Sequence, residues 1–235
     1  MKAICKSDMG LVRASNQDWV EIRNYSNGSC LSIVCDGIGG EAGGDVASKE
    51  AAHSFIYYFE NNMSEDIKSL IFSSINNANQ RIIKIGRTNR NISNLGTTLV
   101  IAFIENNILH VANIGDSRAY IVSSSDIIQV TKDHSVVNEL ISKGIITPGE
   151  AKDAPSRNII TRALGSINYS PDYYTVHLKE NEKILLCTDG LTNCVDDSDI
   201  KRIINENIAE EAIEILIDTA NNNGGIDNIT VSLIF

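Results

Sequence analysis

Four apolar runs of strand length each meet an aspartate at one end, and this limits the folds open to the chain. Leu31-Ser32-Ile33-Val34-Cys35 leads into Asp36-Gly37-Ile38-Gly39-Gly40, and Val111-Ala112-Asn113-Ile114-Gly115 leads into Asp116. Ile184-Leu185-Leu186-Cys187-Thr188 leads into Asp189-Gly190, and Asp227-Asn228 precedes Ile229-Thr230-Val231-Ser232-Leu233-Ile234. A single Asp-Gly is only a turn signal. Strands that lie side by side in a sheet-built core bring such ends together, and a cluster of hard carboxylate oxygens is what Mg²⁺ or Mn²⁺ takes.

The intervening pattern places the strands. Strand-like stretches cover 3–6, 19–25 (Val20 and Ile22 alternating against Glu21 and Arg23) and 31–35. From Asp45 the period becomes helical through Ala47, Ala51, Phe55 and Phe59, and a second helix carries Ile67, Leu70, Ile71, Ile75, Ala78 and Ile82. Strands over 97–104 and 108–114 are joined by the Glu105-Asn106-Asn107 turn and followed by 118–122 and 127–130, which reads as one meander. The spacing predicts a helix over 134–143 capped by Asp133, then a mobile loop or flap over 144–165, where two of the three prolines fall. A strand over 183–187, helices over 198–205 and 210–221 and a strand over 228–235 complete the chain. Strands precede and follow the helix pair instead of alternating with it, which argues against a doubly wound parallel sheet. The expectation is an α+β fold: a β-sandwich of two antiparallel sheets flanked by helix pairs, in α-β-β-α order, over one domain of residues 1–235.

Composition narrows the function classes. With 235 residues, 43% of them hydrophobic, the chain can bury one large core. Cys5, Cys30, Cys35, Cys187 and Cys194 form no C-x-x-C pair, and their odd number points to a reduced, cytoplasmic setting. The start Met1-Lys2-Ala3-Ile4-Cys5-Lys6 has no apolar signal region and no span is of bilayer length, so no export and no membrane insertion are expected. The sequon Asn91-Ile92-Ser93 then carries no meaning. A formal net charge of −10 without any Lys/Arg run argues against nucleic acid as a partner. The same charge repels phosphates, so phosphate chemistry here would need local cations and placed arginines.

The ordered motifs resemble those of the metal-dependent protein phosphatases, the PPM or protein phosphatase 2C family. They are Arg13-Ala14-Ser15-Asn16-Gln17-Asp18, Asp36-Gly37-Ile38-Gly39-Gly40, Gly96-Thr97-Thr98, Gly115-Asp116-Ser117-Arg118, Asp133-His134-Ser135, Thr161-Arg162-Ala163-Leu164-Gly165, Thr188-Asp189-Gly190-Leu191 and Asp227-Asn228-Ile229-Thr230. Each is weak alone, but the set runs nearly end to end. The resemblance implies a protein-serine/threonine phosphatase whose two core Mn²⁺ or Mg²⁺ ions carry a bridging hydroxide. Two such ions roughly 4 Å apart lower the pKa of a shared water from about 16 toward 7. It further implies that Asp36 bridges both ions, that Asp189 and Asp227 complete the first site and that the Gly37 carbonyl binds the second. Asp116 with Asp189 resembles a weaker third metal position. Arg13 resembles the family's phosphate-binding arginine, a fork suited to two phosphoryl oxygens, while Gln17, Asp18 and Asn228 would support the ligands from behind. The implied partners are phosphorylated proteins, the substrates of a cognate bacterial serine/threonine kinase.

Two positions depart from the pattern. Gln17 stands where many members have a glutamate holding a metal-bound water, which implies weaker metal binding. Ile38 stands where eukaryotic members carry a histidine proposed as general acid, and leaving-group protonation would then fall to a metal-bound water. Arg118 has two readings, a neighbour of the metal-site Asp116 or the partner of a structural carboxylate, and Asp133-His134-Ser135 reads as a helix start. His53, His110 and His177 lack ligand spacing. A cysteine-dependent phosphatase is excluded, since no cysteine has an arginine six residues on. Asp197-Ser198-Asp199 follows polar residues and does not suit an aspartyl-phosphate mechanism. The alternatives on the same fold are a pseudophosphatase or phosphoprotein-binding module, and a regulator of anti-sigma antagonists.

Overall fold

Strands that are apolar on both faces must be covered on both, and four layers achieve this. The computed structural model describes residues 1–38, 40–63, 66–88, 95–152, 154–156 and 158–235; Gly39 of the glycine-rich turn and the 91–93 sequon lie outside them. The chain begins β1 (Ala3–Asp8), β2 (Asp18–Asn24), β3 (Cys30–Ile38), α1 (Gly40–Asn61) and α2 (Ile67–Thr88). It continues β4 (Gly96–Thr97), β5 (Leu99–Glu105), β6 (Ile108–Ile114), β7 (Arg118–Val122), β8 (Ile127–Gln129), α3 (Val136–Ser142) and α4 (Pro148–Lys152). It ends with β9 (Asp172–His177), β10 (Lys183–Cys187), α5 (Asp189–Thr192), α6 (Asp197–Glu206), α7 (Ala209–Asn222) and β11 (Ile229–Ile234). One sheet has the order β1-β11-β10-β7-β8 and the other β2-β3-β5-β6-β9, with β4 on β3. All pairings are antiparallel.

β3 shows why its sequence is a continuous apolar run. Leu31, Ile33 and Cys35 pack under α1 and α2 with Phe55, Phe59 and Ile75, while Cys30 and Val34 point into the sandwich with Leu186 and Ile234. On the far side α6 and α7 bury Ile200, Ile204, Leu216 and Ile217 against Leu185 and Leu233. The β5–β6 turn has Asn106 and Asn107 at φ 51° and 61°, the left-handed pair that a two-residue hairpin requires.

Three expectations are corrected. The four strands over 97–130 are not one meander: β5 and β6 pair in one sheet, whereas β7 and β8 belong to the other. The chain changes sheets at Gly115, whose φ of 102° and close fit against the Thr98 side chain only glycine allows. Asp133 does not cap α3; Ser135 does, its Oγ accepting from the Asn138 amide. The stretch 144–165 holds α4, and its later part is tied down, Ile160 bridging Ser135 and Leu164 exchanging backbone hydrogen bonds with Thr97 at 2.9 and 3.2 Å. β9 was not expected from the sequence because it is an edge strand with no buried residue. Among the described residues no helix is long and apolar enough to cross a membrane, and all five cysteines are free.

Candidate active site

Antiparallel pairing decides where the strand-end aspartates go. β10 and β11 are neighbours, with Cys187 opposite Val231, so Asp189 just after β10 and Asp227 just before β11 emerge at the same end. Gly190 lets them close up, since a Cβ there would strike the Asn228 carbonyl. In the facing sheet Asp36 sits near the end of β3, opposite Asp18 of β2 in the ladder, and Asp116 follows β6. Asp36, Gly37, Asp116, Asp189, Asp227, Gln17, Asn228 and Arg13 all line one cavity of about 500 Å³.

Threonines fix the aspartate backbones. The Asp36 amide donates to Thr98 Oγ1 at 2.9 Å, and the Asp36 carbonyl accepts from the Thr98 amide at 2.9 Å and from Thr97 Oγ1 at 2.8 Å. Thr98 Oγ1 also pairs with Ser117 Oγ at 2.7 Å, so one buried hydroxyl holds Asp36 in register with the turn carrying Asp116. Thr98→Val keeps the shape and leaves the Asp36 amide unpaired; a loss of about 1–3 kcal/mol is expected in urea unfolding. On the other side Asp18 Oδ2 accepts from Thr188 Oγ1 at 2.8 Å, and Thr188 Oγ1 accepts from the Thr230 amide at 3.0 Å. That chain of bonds ties the two sheets together beneath the cavity.

The arginine loop is tied to the last strand. Asn228 Nδ2 donates to the carbonyls of Met9 and Ser15 at 2.8 and 3.0 Å, and its Oδ1 accepts from the Gln17 amide at 2.8 Å. The Gln17 carbonyl in turn accepts from the Gly37 amide at 3.1 Å and from Ser48 Oγ at 2.6 Å. Arg13 is thereby placed at the rim, with Nη2 2.7 Å from Asp227 Oδ2. Ile38, 37% exposed, also faces the cavity.

Of the two readings of Arg118, the second describes its position: it grips Asp133 through Nε at 3.0 and 3.1 Å and Nη2 at 2.7 Å. His134 was not singled out by the sequence, yet it clamps the Asp116 turn. Its Nδ1 accepts from the Gly115 amide at 3.1 Å and its own amide donates to the Gly115 carbonyl at 2.9 Å. Burial lowers its pKa, in keeping with a neutral ring whose Nε2, 3.2 Å from Asp172 Oδ2, is the donor. The helix-start signal of Asp133-His134-Ser135 concealed three separate tasks. Arg162 pairs with Asp172 at 2.8 Å.

The electrostatics are those of crowded like charges. Burial, then Asp18, Asp189, Asp116 and Asp227, push the Asp36 carboxyl well above the ordinary range. Burial and then Asp189 raise Asp116 to about 7, and burial raises Asp18 to about 7 against its threonine hydrogen bonds. Asp189 is raised by burial and by Asp227, with relief from hydrogen bonds to Asp36 and Asn193. Among the described residues two buried carboxylate oxygens, Asp18 Oδ1 and Asp189 Oδ1, have no hydrogen-bond partner. Like charges packed this way require protons or cations, and an all-oxygen donor set without His or Cys fits a hard divalent ion. Among the described residues no three such side chains already form one coordination sphere, and Asp227 is engaged by Arg13. The residues present fit such ions in donor type and charge.

A two-sheet sandwich with a carboxylate cluster at one end and an arginine at its rim offers the donors of a hard-cation centre beside a fork suited to phosphate. The protein phosphatase 2C family model matches residues 12–222. Protein phosphatase PhpP of Streptococcus pneumoniae is 36% identical over 97% of this chain and 94% of its own. The serine/threonine phosphatase PstP/Ppp of Mycobacterium tuberculosis superposes with a TM-score of 0.90 at 32% identity, over 99% of this chain and 97% of that one. The catalytic domain of PstP in complex with two manganese ions superposes with a TM-score of 0.87 at 31% identity, over 99% and 96% of the two chains. The chain belongs to the protein phosphatase 2C (PPM) family, the metal-dependent protein phosphatases.

Proposed function

We propose that the protein hydrolyses phosphoserine and phosphothreonine in cytoplasmic phosphoproteins, reversing the action of a serine/threonine kinase, and that residues 1–235 act as one catalytic unit. The observation that carries this reading is the convergence of Asp36, Asp116, Asp189 and Asp227 in one cavity beside Arg13. The names of PhpP and PstP, and the two manganese ions bound to PstP, support it. In this reading Asp36, Asp189, Asp227 and the Gly37 carbonyl would hold two Mn²⁺ or Mg²⁺ ions, with Asp36 serving both, and Asp116 with Asp189 would hold a weaker third cation. The bound ions would supply positive charge to the phosphoryl group and acidify the attacking water. Gln17 and Asn228 fix the loop from which Arg13 reaches the phosphoryl oxygens, and Asp18 braces Asp36 from the adjacent strand. No carboxylate of the set is missing, which disfavours a pseudophosphatase.

The purified protein is expected to cleave p-nitrophenyl phosphate with Mn²⁺ or Mg²⁺ and to stop when EDTA is added; activity that survives thorough chelation sinks the metal mechanism. Asp116→Ala separates the third cation from the core pair. Calorimetry should find the two tight sites intact, while turnover falls further for phosphoserine, a poor leaving group, than for p-nitrophenyl phosphate. Equal slowing of both substrates, or loss of the tight sites, removes Asp116 from that position.

A further inference from the structure

A second cleft, of about 690 Å³, adjoins the catalytic cavity, and the two share Arg13, Asp116, Asn158, Asp189 and Asp227. Its walls differ in chemistry. One is built by α3 and α4, from which Val137, Ile141 and Ala151 line the cleft. An amphipathic helix ordinarily hides its apolar stripe, yet no residue of α3 is buried, although Val136, Val137, Leu140 and Ile141 make up most of it. Val137 and Ile141, one turn apart, face the cleft instead. The other wall carries the exposed Asp196 and Asp197 at the start of α6. Asp196 is the N-cap of α6 but its side chain makes no capping bond, and among the described residues neither carboxylate is in an ion pair. Asp133, in contrast, is neutralised by Arg118.

We infer that this cleft receives the polypeptide flanking the phosphorylated residue, and that it selects substrates with a Lys or Arg and an aliphatic side chain close to the phosphoserine or phosphothreonine. Continuity with the catalytic cavity makes the substrate chain the occupant, the two unpaired carboxylates call for a cation and the half-buried α3 stripe, Val137 and Ile141 facing the cleft, calls for an apolar side chain. This rests on the phosphatase reading above. Asp196 and Asp197 also suit the α6 N-terminus, and a net charge of −10 attracts any basic peptide, so the test must isolate the cleft.

Phosphothreonine peptides of one length, flanked by Lys or by Glu and carrying Leu or Gly nearby, are compared by kcat/KM with Mn²⁺ at low salt. The wild-type protein is expected to favour the Lys peptide about fivefold, a preference that shrinks as salt is added. D196N/D197N should cut that ratio to less than about twofold, which loss of only two charges from the overall field would not do. I141S, in a helix without buried residues, should lower the Leu-over-Gly ratio about threefold. Equal rates for the Lys and Glu peptides, or a preference left intact by D196N/D197N, overturns the inference, as does a Leu-over-Gly ratio unchanged by I141S. Wild-type turnover of p-nitrophenyl phosphate is followed in parallel. Its absence sinks the phosphatase reading, whereas normal turnover without peptide preference sinks only the cleft.

Discussion

Asp36→Asn is expected to bring turnover near background, a fall on the order of a thousandfold or more, and at the same time to stabilise the chelated protein at pH 8. The first effect follows from position. The charge of Asp36 interacts with Asp18, Asp189, Asp116 and Asp227, so in the reading proposed above no other side chain could replace it as the ligand that two ions would share. The second follows from the sign of its shift. Asp36 is raised well above its ordinary value of 3.8 by burial and neighbouring carboxylates, so its ionisation opposes folding. Any stability it contributes is complete below about pH 4 and is lost as pH rises through the folded value. The asparagine keeps the shape and never ionises. Its advantage in urea midpoint, measured in EDTA, should therefore grow from acid to alkaline pH, and added Mn²⁺ should reverse the order by stabilising the wild type alone. Substantial turnover in the variant would move the shared ligand elsewhere, and a lower midpoint at pH 8 would contradict the crowding.

Arg13→Ala is expected to lower kcat/KM about a hundredfold, mainly through KM, since charge-assisted hydrogen bonds contribute about 1.5–3 kcal/mol each. Arg13→Lys should lose less because it keeps the charge, yet still fall short because it loses the fork. Unchanged KM in both variants would remove Arg13 from the phosphate site. Arg13 also pairs with Asp227 at 2.7 Å, and its guanidinium competes with any cation for that carboxylate. Calorimetry should then show Arg13→Ala binding Mn²⁺ at least as tightly as the wild type. Weaker metal binding would instead mean that Arg13 supports the ligand cluster, and the kinetic loss would need that explanation.

Local pattern carried a large part of this protein. The apolar runs of β3, β6, β10 and β11 and the helical periods of α1 and α2 are strong because each is buried against neighbours that demand that period. An aspartate at a strand end is visible without any structure, and so is the Arg13 motif. Features whose sequence is unremarkable stayed hidden: β9 is a half-exposed edge strand, and α5 is a single turn begun by Asp189.

Sequence alone determined which residue types stand at the strand ends, and hence that hard-cation chemistry was available. Tertiary structure decided what they stand beside. Strand order brings Asp189 next to Asp227 and Asp18 opposite Asp36, and the sheet change at Gly115 sends β7 away from the β6 it follows in sequence. The partners of Asn228 likewise come from the other end of the chain, while those of His134 and Arg118 lie 19 and 15 residues away. A hydrogen bond between residues two hundred positions apart leaves no periodicity to read, because it depends on packing that only the completed sandwich supplies.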